Sequence, residues 1–139
     1  MAGNLPPGAP EDQPMSKPST TIYLRLEGLA LGLLCVWLYS FSGRPWWLFA
    51  LLFLAPDLSM LGYLGGTRLG ALAYNVVHSW AVATVLAMVG WYFWGDDSLL
   101  LSLALSLGAH IGFDRSLGYG LKLPTNFHDT DLGRIGKTA

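Results

Sequence analysis

The sequence predicts an all-α polytopic membrane protein, a bundle of four transmembrane helices with both termini cytoplasmic. Three observations carry that expectation. Hydrophobic residues make up 53% of the 139-residue chain and charged residues only 12%, about half the charged fraction of soluble domains. The charges sit at segment ends and leave four apolar runs long enough to cross a bilayer, near residues 21–41, 45–65, 68–94 and 98–120. Lys and Arg collect on one side of the topology those runs imply. A soluble domain of this size has too little interior for so much apolar surface, so lipid is the expected solvent.

Residues 1–20 hold five of the eight prolines and few apolar side chains. They are expected to form a disordered N-terminal tail, because they bury nothing against the entropy of ordering. The tail lacks the basic start of a secretory signal. The first run, 21–41, contains the single cysteine, Cys35, so no internal disulfide can form. Ser42-Gly43-Arg44-Pro45 turns the chain into 45–65. There Pro56 removes a backbone donor and breaks the helix, with Asp57 at the break. Such a break is tolerated at membrane depth where it lines a polar cavity.

Gly65-Gly66-Thr67-Arg68 leads into the third run and Gly95-Asp96-Asp97 into the fourth. Links this short make consecutive helices antiparallel neighbours. The last segment, 121–139, is too polar to span and is expected on the cytoplasmic side. Pro124 and Gly133 suit a turn-rich cap folded back across the mouth of the bundle.

Orientation follows from the cations. Lys17, Arg25, Arg68, Arg115, Lys122, Arg134 and Lys137 fall on one side, and only Arg44 falls on the other. The positive-inside rule makes the first side cytoplasmic, which places the chain in the cell inner (plasma) membrane as a multi-pass protein. Trp37, Tyr39, Trp46, Trp47, Trp91, Tyr92 and Trp94 gather at the opposite interface. The lipid bilayer is thus the first expected partner. A net charge of -1 and the lack of a basic, aromatic-studded patch give no reason to expect nucleic acid. Glycines at i,i+4 (28/32, 62/66, 66/70 and 108/112) fit close packing inside one bundle or a homo-oligomer equally well.

The polar residues inside the runs point to a site. Glu27, Asp57, Asn75, His78, His110 and Asp114 lie roughly 5 to 10 residues from the cytoplasmic helix ends, about 8–15 Å deep. Ionisable residues at membrane depth face a bundle interior and mark function. His110 and Asp114 are i,i+4 on one helix face, and Ser102 and Ser106 extend that stripe. Tyr74, Asn75 and His78 share a face of the third helix.

Two readings stay open at this point. In one, Asp57, His78, His110 and Asp114 ligate a divalent metal ion: imidazole with carboxylate suits zinc, manganese or iron, and no placed thiol favours softer ions. In the other they form a hydrogen-bonded polar core, His110 with Asp114, His78 with Asn75 or Asp57, and Glu27 with a neighbouring arginine. No G-x-S-x-G, H-E-x-x-H or phosphate-binding glycine loop is present. Ser79, beside His78, is expected to bond to the backbone of its own helix.

The strings RLEGL (25–29), APDLSMLGYL (55–64), GALAYNVVHS (70–79), AHIGFDRSLGYGLKLPTNF (109–127) and DLGRIG (131–136) closely resemble the domain of unknown function 4260 family, small and mostly bacterial membrane proteins. That resemblance runs from about residue 22 to 136 and implies no activity. An Asp ending one helix, then His-Ser, then His-x-x-x-Asp before Gly-Tyr-Gly is remotely similar to inner-membrane metal-dependent hydrolase-like families. Residue by residue, this similarity implies Asp57, His78, His110 and Asp114 as metal ligands. Leu58 and Ser59, and likewise Tyr74 and Asn75, stand where those families carry further polar residues.

The resulting expectation is a metal-dependent hydrolase-like protein acting on a lipid or amphipathic ester at a polar intramembrane site open to the cytoplasm. Asp57, His78, His110 and Asp114 hold zinc or manganese, and Glu27 or an unligated carboxylate serves as general base. The alternative is a non-catalytic membrane binding or assembly protein whose polar layer only fixes helix packing.

Overall fold

A computed structural model of the chain describes residues 18–136. Most of the expected N-terminal tail lies outside the described residues. Its end does not: residues 18–20 already form the first turn of helix α1, Pro18–Ser40. Proline suits that place, since the first helical position has no intrahelical use for its N–H.

The described residues hold five α-helices in chain order. After α1 come α2 (Trp46–Leu54), a 3-10 helix over Ala55–Gly65, α3 (Thr67–Val77), α4 (Trp80–Trp94), a short 3-10 turn at Gly95–Asp97, and α5 (Leu99–Leu117). A two-residue antiparallel hairpin closes the described chain, β1 (Asp129–Thr130) against β2 (Gly133–Arg134).

Two helical stretches are long and apolar enough to cross a membrane, Thr20–Ser40 and Trp46–Gly65. The pair Thr67–Val77 and Trp80–Asp97 makes a third, bent by 42°. Two to three candidate spans are therefore established where four were expected. The missing one is α5, and the reason is visible in its packing. It runs 19 residues, but Ser102, Ser106, His110 and Asp114 lower its apolarity, and the first three are buried. Its length would suffice for a span, and the residues that lower its apolarity lie in the protein interior.

α5 is the hub: α1, α2 and α4 all pack on it, while α3 packs on the 3-10 helix. Glycines set the α1–α5 approach. A methyl group on Gly28 would stand 2.8 Å from Arg115 Cβ and 2.9 Å from the Gly112 carbonyl, and one on Gly32 would stand 3.3 Å from Gly112 Cα. Gly28 and Gly32 thus both face Gly112 within one chain, while Gly108 faces Cys35 of α1. Gly62 approaches Gly70 and Ala73 in the same manner across the 3-10/α3 hairpin. Small residues at these crossings let the helix backbones approach this closely.

The second and third runs are each two pieces. The helix of 45–65 tightens at Ala55, just before Pro56, as expected from the lost donor. The continuous helix expected over 68–94 is instead broken at His78–Ser79. His78 ends α3 with φ -89° and ψ 21°, and Ser79 is extended at φ -90° and ψ 131°. Ser79 Oγ accepts the Ala81 N–H at 3.2 Å, so this serine is the N-cap of α4 and not a mid-helix residue.

Both large turns at one end are tied together, Arg44 donating to the Asp97 carbonyl. Trp37, Trp46, Trp47, Trp91, Tyr92 and Trp94 are exposed around that end. Tyr39 is the exception, buried with its hydroxyl donating to the Pro45 carbonyl at 3.1 Å. At the other end lie the 65–67 turn and the tail. The α5 terminus is closed by left-handed Gly118, with the Tyr119 N–H returning to the Asp114 carbonyl at 2.8 Å.

Candidate metal centre

Two helix breaks and one continuous helix build the site. Asp57 is the third residue of the proline-marked 3-10 helix, His78 is the residue on which α3 ends, and His110 and Asp114 are one turn apart on α5. A residue at a helix end is free to turn its side chain across the bundle axis, which a mid-helix residue on the same face is not.

The donor atoms converge. His78 Nε2 and His110 Nε2 stand 3.1 Å apart. Asp57 Oδ1 is 3.4 Å from His110 Nε2 and 4.0 Å from His78 Nε2. Asp114 Oδ2 is 3.3 Å and 3.7 Å from the same two nitrogens. The donor atoms of Asp57, His78 and His110 all lie within 4.8 Å of one another, a grouping that can hold a metal ion. Metal–ligand bonds of about 2.0–2.1 Å place neighbouring ligand atoms about 3.3–3.4 Å apart around a tetrahedral ion. Most of these separations therefore need only tenths of an ångström to meet that geometry.

The rings are prepared for it. His78 Nδ1 lies 3.0 Å from the Tyr74 carbonyl, which can only accept, so Nδ1 carries the proton and Nε2 presents its lone pair to the centre. The Tyr74 ring stacks on the His78 ring at 3.7 Å between centroids, and the Tyr74 hydroxyl donates to Asp114 Oδ2 at 3.3 Å. The Phe53 ring meets His110 edge-on at 5.1 Å. His110 Nδ1 is buried without a hydrogen bond of good geometry, the Phe53 backbone lying beside it. Both imidazoles are almost wholly buried, whereas the Asp57 side chain is 46% exposed and Asp114 21%. The centre is closed on its imidazole side and open on its carboxylate side.

That open side faces a cavity of about 270 Å3 lined by Asp57, Met60, Tyr74, Asp114, Lys122 and Phe127 among others. A larger cavity, about 520 Å3 beside Trp94 and Leu103, lies at the opposite end and contains none of the site residues. The tail forms the wall of the smaller one. Asn75 grips its backbone twice, Nδ2 donating to the Lys122 carbonyl at 2.8 Å and Oδ1 accepting the Lys122 N–H at 2.7 Å. Asp131 Oδ1 accepts the Leu121 N–H at 2.7 Å and fixes the next turn.

The sequence-predicted residues divide accordingly. Asp57, His78, His110 and Asp114 come together. Glu27 is exposed on α1 and is not among the gathered donors. Ser102 and Ser106 are buried but bond to their own helix, donating to the carbonyls of Ser98 and Ser102 at 3.2 and 2.8 Å, so they extend no polar path from the centre. Asn75 holds the tail and not a histidine.

Lys122 is the residue that sequence reasoning missed at this site. It is only 4% exposed although it lies outside every helix. Burial pushes its ammonium below the ordinary lysine value, and the Asp114 carboxylate opposes that shift. No periodicity could flag it, since its burial depends on a loop returning to the bundle.

A family model described as a domain of unknown function, DUF4260, matches residues 21–135. Neither a curated protein nor a solved structure matches the chain.

Proposed function

The chain belongs to the domain of unknown function 4260 family, so its activity has to be read from its own site, and we propose that it is a multi-pass membrane protein with a divalent-metal hydrolytic centre. One observation carries the reading: donor atoms from three separated parts of the chain, two of them buried imidazoles, meet within bonding reach of a single ion. Ionised groups at membrane depth cost about 2.5–3.5 kcal/mol each even on the lenient insertion scale. An ion shared among them offsets that cost better than separate pairing.

In this reading α1, α2 with its 3-10 extension, the bent α3/α4 pair and α5 make four spans, with both termini cytoplasmic in the inner (plasma) membrane. The exposed aromatic ring at the Arg44–Asp97 end supports that orientation, as do the cations at the other. Asp57, His78 and His110 hold the ion, zinc or manganese by their chemistry. Such an ion polarises an ester and acidifies a water molecule beside it. Asp114, oriented by the Tyr74 hydroxyl, takes the proton from that water and replaces Glu27 in the role of general base. The water oxygen adds to the ester centre, the bond to the alcohol oxygen breaks, and Asp114 returns the proton to the departing alkoxide. The substrate is a lipid or amphipathic ester, because the cavity joins carboxylates to apolar side chains at membrane depth.

One observation favours the alternative, a non-catalytic binding or assembly protein with a structural polar layer. With His78 Nδ1 protonated, a proton on His110 Nε2 pairs the two facing nitrogens across their 3.1 Å contact with no ion at all. Turnover separates the two readings. The detergent-purified protein with added zinc or manganese should hydrolyse fluorogenic amphipathic esters, lose this on chelation and regain it with the ion. Metal retained without turnover across carboxylic and phosphate esters would contradict hydrolysis.

A further inference from the structure

Lys122 is a buried cation with unused donors. Its ammonium donates to the Phe127 carbonyl at 2.8 Å and stands 4.2 Å from the Phe127 ring centroid and 5.3 Å from that of Tyr74. An ammonium has three donors, and among the described residues the Phe127 carbonyl is the hydrogen-bond partner of Nζ. Asn75 fixes the Lys122 backbone on both sides, so the side chain reaches the cavity from a set position. Asp57 and Asp114 line the same cavity.

Charge then decides what the chamber takes. Two carboxylates compensate a dication, which leaves the Lys122 charge facing the chamber with no anion of its own. A buried charge without a partner is expensive. A phosphate oxygen accepts the unused lysine donors and, beside an ion, meets positive charge from two sides. Met60, Phe127 and Ile135 supply apolar surface around the same space.

We propose that Lys122 is the anion-holding residue of the site and that the substrate class is a phosphate-bearing amphiphile. The inference rests on the metal reading above and narrows its substrate. The phosphate belongs either to a lipid headgroup or to a soluble phosphate ester, and the two share this chemistry.

The test uses the full chain in detergent, loaded with zinc or manganese and assayed for bound metal. Dodecyl phosphate and inorganic phosphate are titrated separately while the thermal midpoint is followed, since a ligand of the folded state raises it. The wild type should shift, Lys122→Met should keep its metal and lose the shift, and Lys122→Arg should retain it. Dodecyl phosphate acting at far lower concentration than inorganic phosphate assigns a lipid headgroup, and equal potency assigns a soluble ester. A metal-loaded wild type that shifts with neither probe overturns the anion site alone, as does a Lys122→Met protein that shifts like wild type. A wild type that holds no metal removes both readings. Should Lys122→Met fail to fold, acetylation of Lys122 in the wild type is measured instead: slowing by dodecyl phosphate supports the site, and an unchanged rate overturns it.

Discussion

His78 Nε2 and His110 Nε2 stand 3.1 Å apart, although 32 residues and a whole helix, α4, separate them in the chain. The contact exists because α3 stops at His78. A continuous helix from Thr67 to Trp94 would hold the His78 ring on a fixed helical face. The 42° bend and the Ser79 cap let it end a helix and turn toward α5 instead.

Removing that cap should therefore be felt at the centre. Ser79→Ala loses the bond to the Ala81 N–H and is expected to cost about 1 kcal/mol of stability. Thermal denaturation in detergent measures the cost. Metal affinity of the same variant should fall by severalfold, and an affinity equal to wild type would mean that the break does not position His78.

The α1–α5 glycine crossing predicts a steric effect. A methyl group at Gly112 would lie 2.6 Å from the Gly32 nitrogen. Gly112→Ala should destabilise the protein by about 1–3 kcal/mol, the usual range for overpacking. Val85→Ala, on an exposed face of α4, should stay within about 0.5 kcal/mol. Equal midpoints for the two variants would show that α1 and α5 do not approach through Gly112.

Asn75 is the side chain that hydrogen-bonds α3 to the tail. Asn75→Ala leaves the Lys122 N–H and carbonyl without their partners, and each unmet buried group costs about 1–3 kcal/mol. Limited proteolysis near Asn126 should speed up about tenfold or more, since about 1.4 kcal/mol is a factor of ten. An unchanged cleavage rate would place the grip on the tail elsewhere, at the Asp131–Leu121 bond for example.

Topology is tested by reporter fusions. Fusions after Gly66 and at Ala139 should both read cytoplasmic, and one at Asp96 should read external. A cytoplasmic signal from the Asp96 turn would contradict the four-span arrangement.

Physical cost explains why part of the site was legible from residues alone. Asp57, His78, His110 and Asp114 stand out in apolar runs because lipid tolerates none of them unpaired. Glu27 met the same test of depth and still lies outside. Depth follows from counting along a helix, but direction turns by about 100° per residue, and the neighbouring Gly28 is the residue that faces α5. The helix break at Pro56 was legible in its proline. The break at His78–Ser79 was not, because it carries no proline or glycine and sits in an apolar stretch. α5 read as a span from its length, but Ser102, Ser106 and His110, buried inside the protein, lower its apolarity.

The most direct measurement is metal content of the detergent-purified full chain, wild type beside His110→Ala. A shared ion predicts about one zinc or manganese per wild-type chain, a higher thermal midpoint on metal addition, and a folded His110→Ala protein that retains none. A wild type that carries no metal and shows no shift at saturating zinc or manganese, with His110→Ala merely less stable, would contradict the account and leave a hydrogen-bonded core in its place.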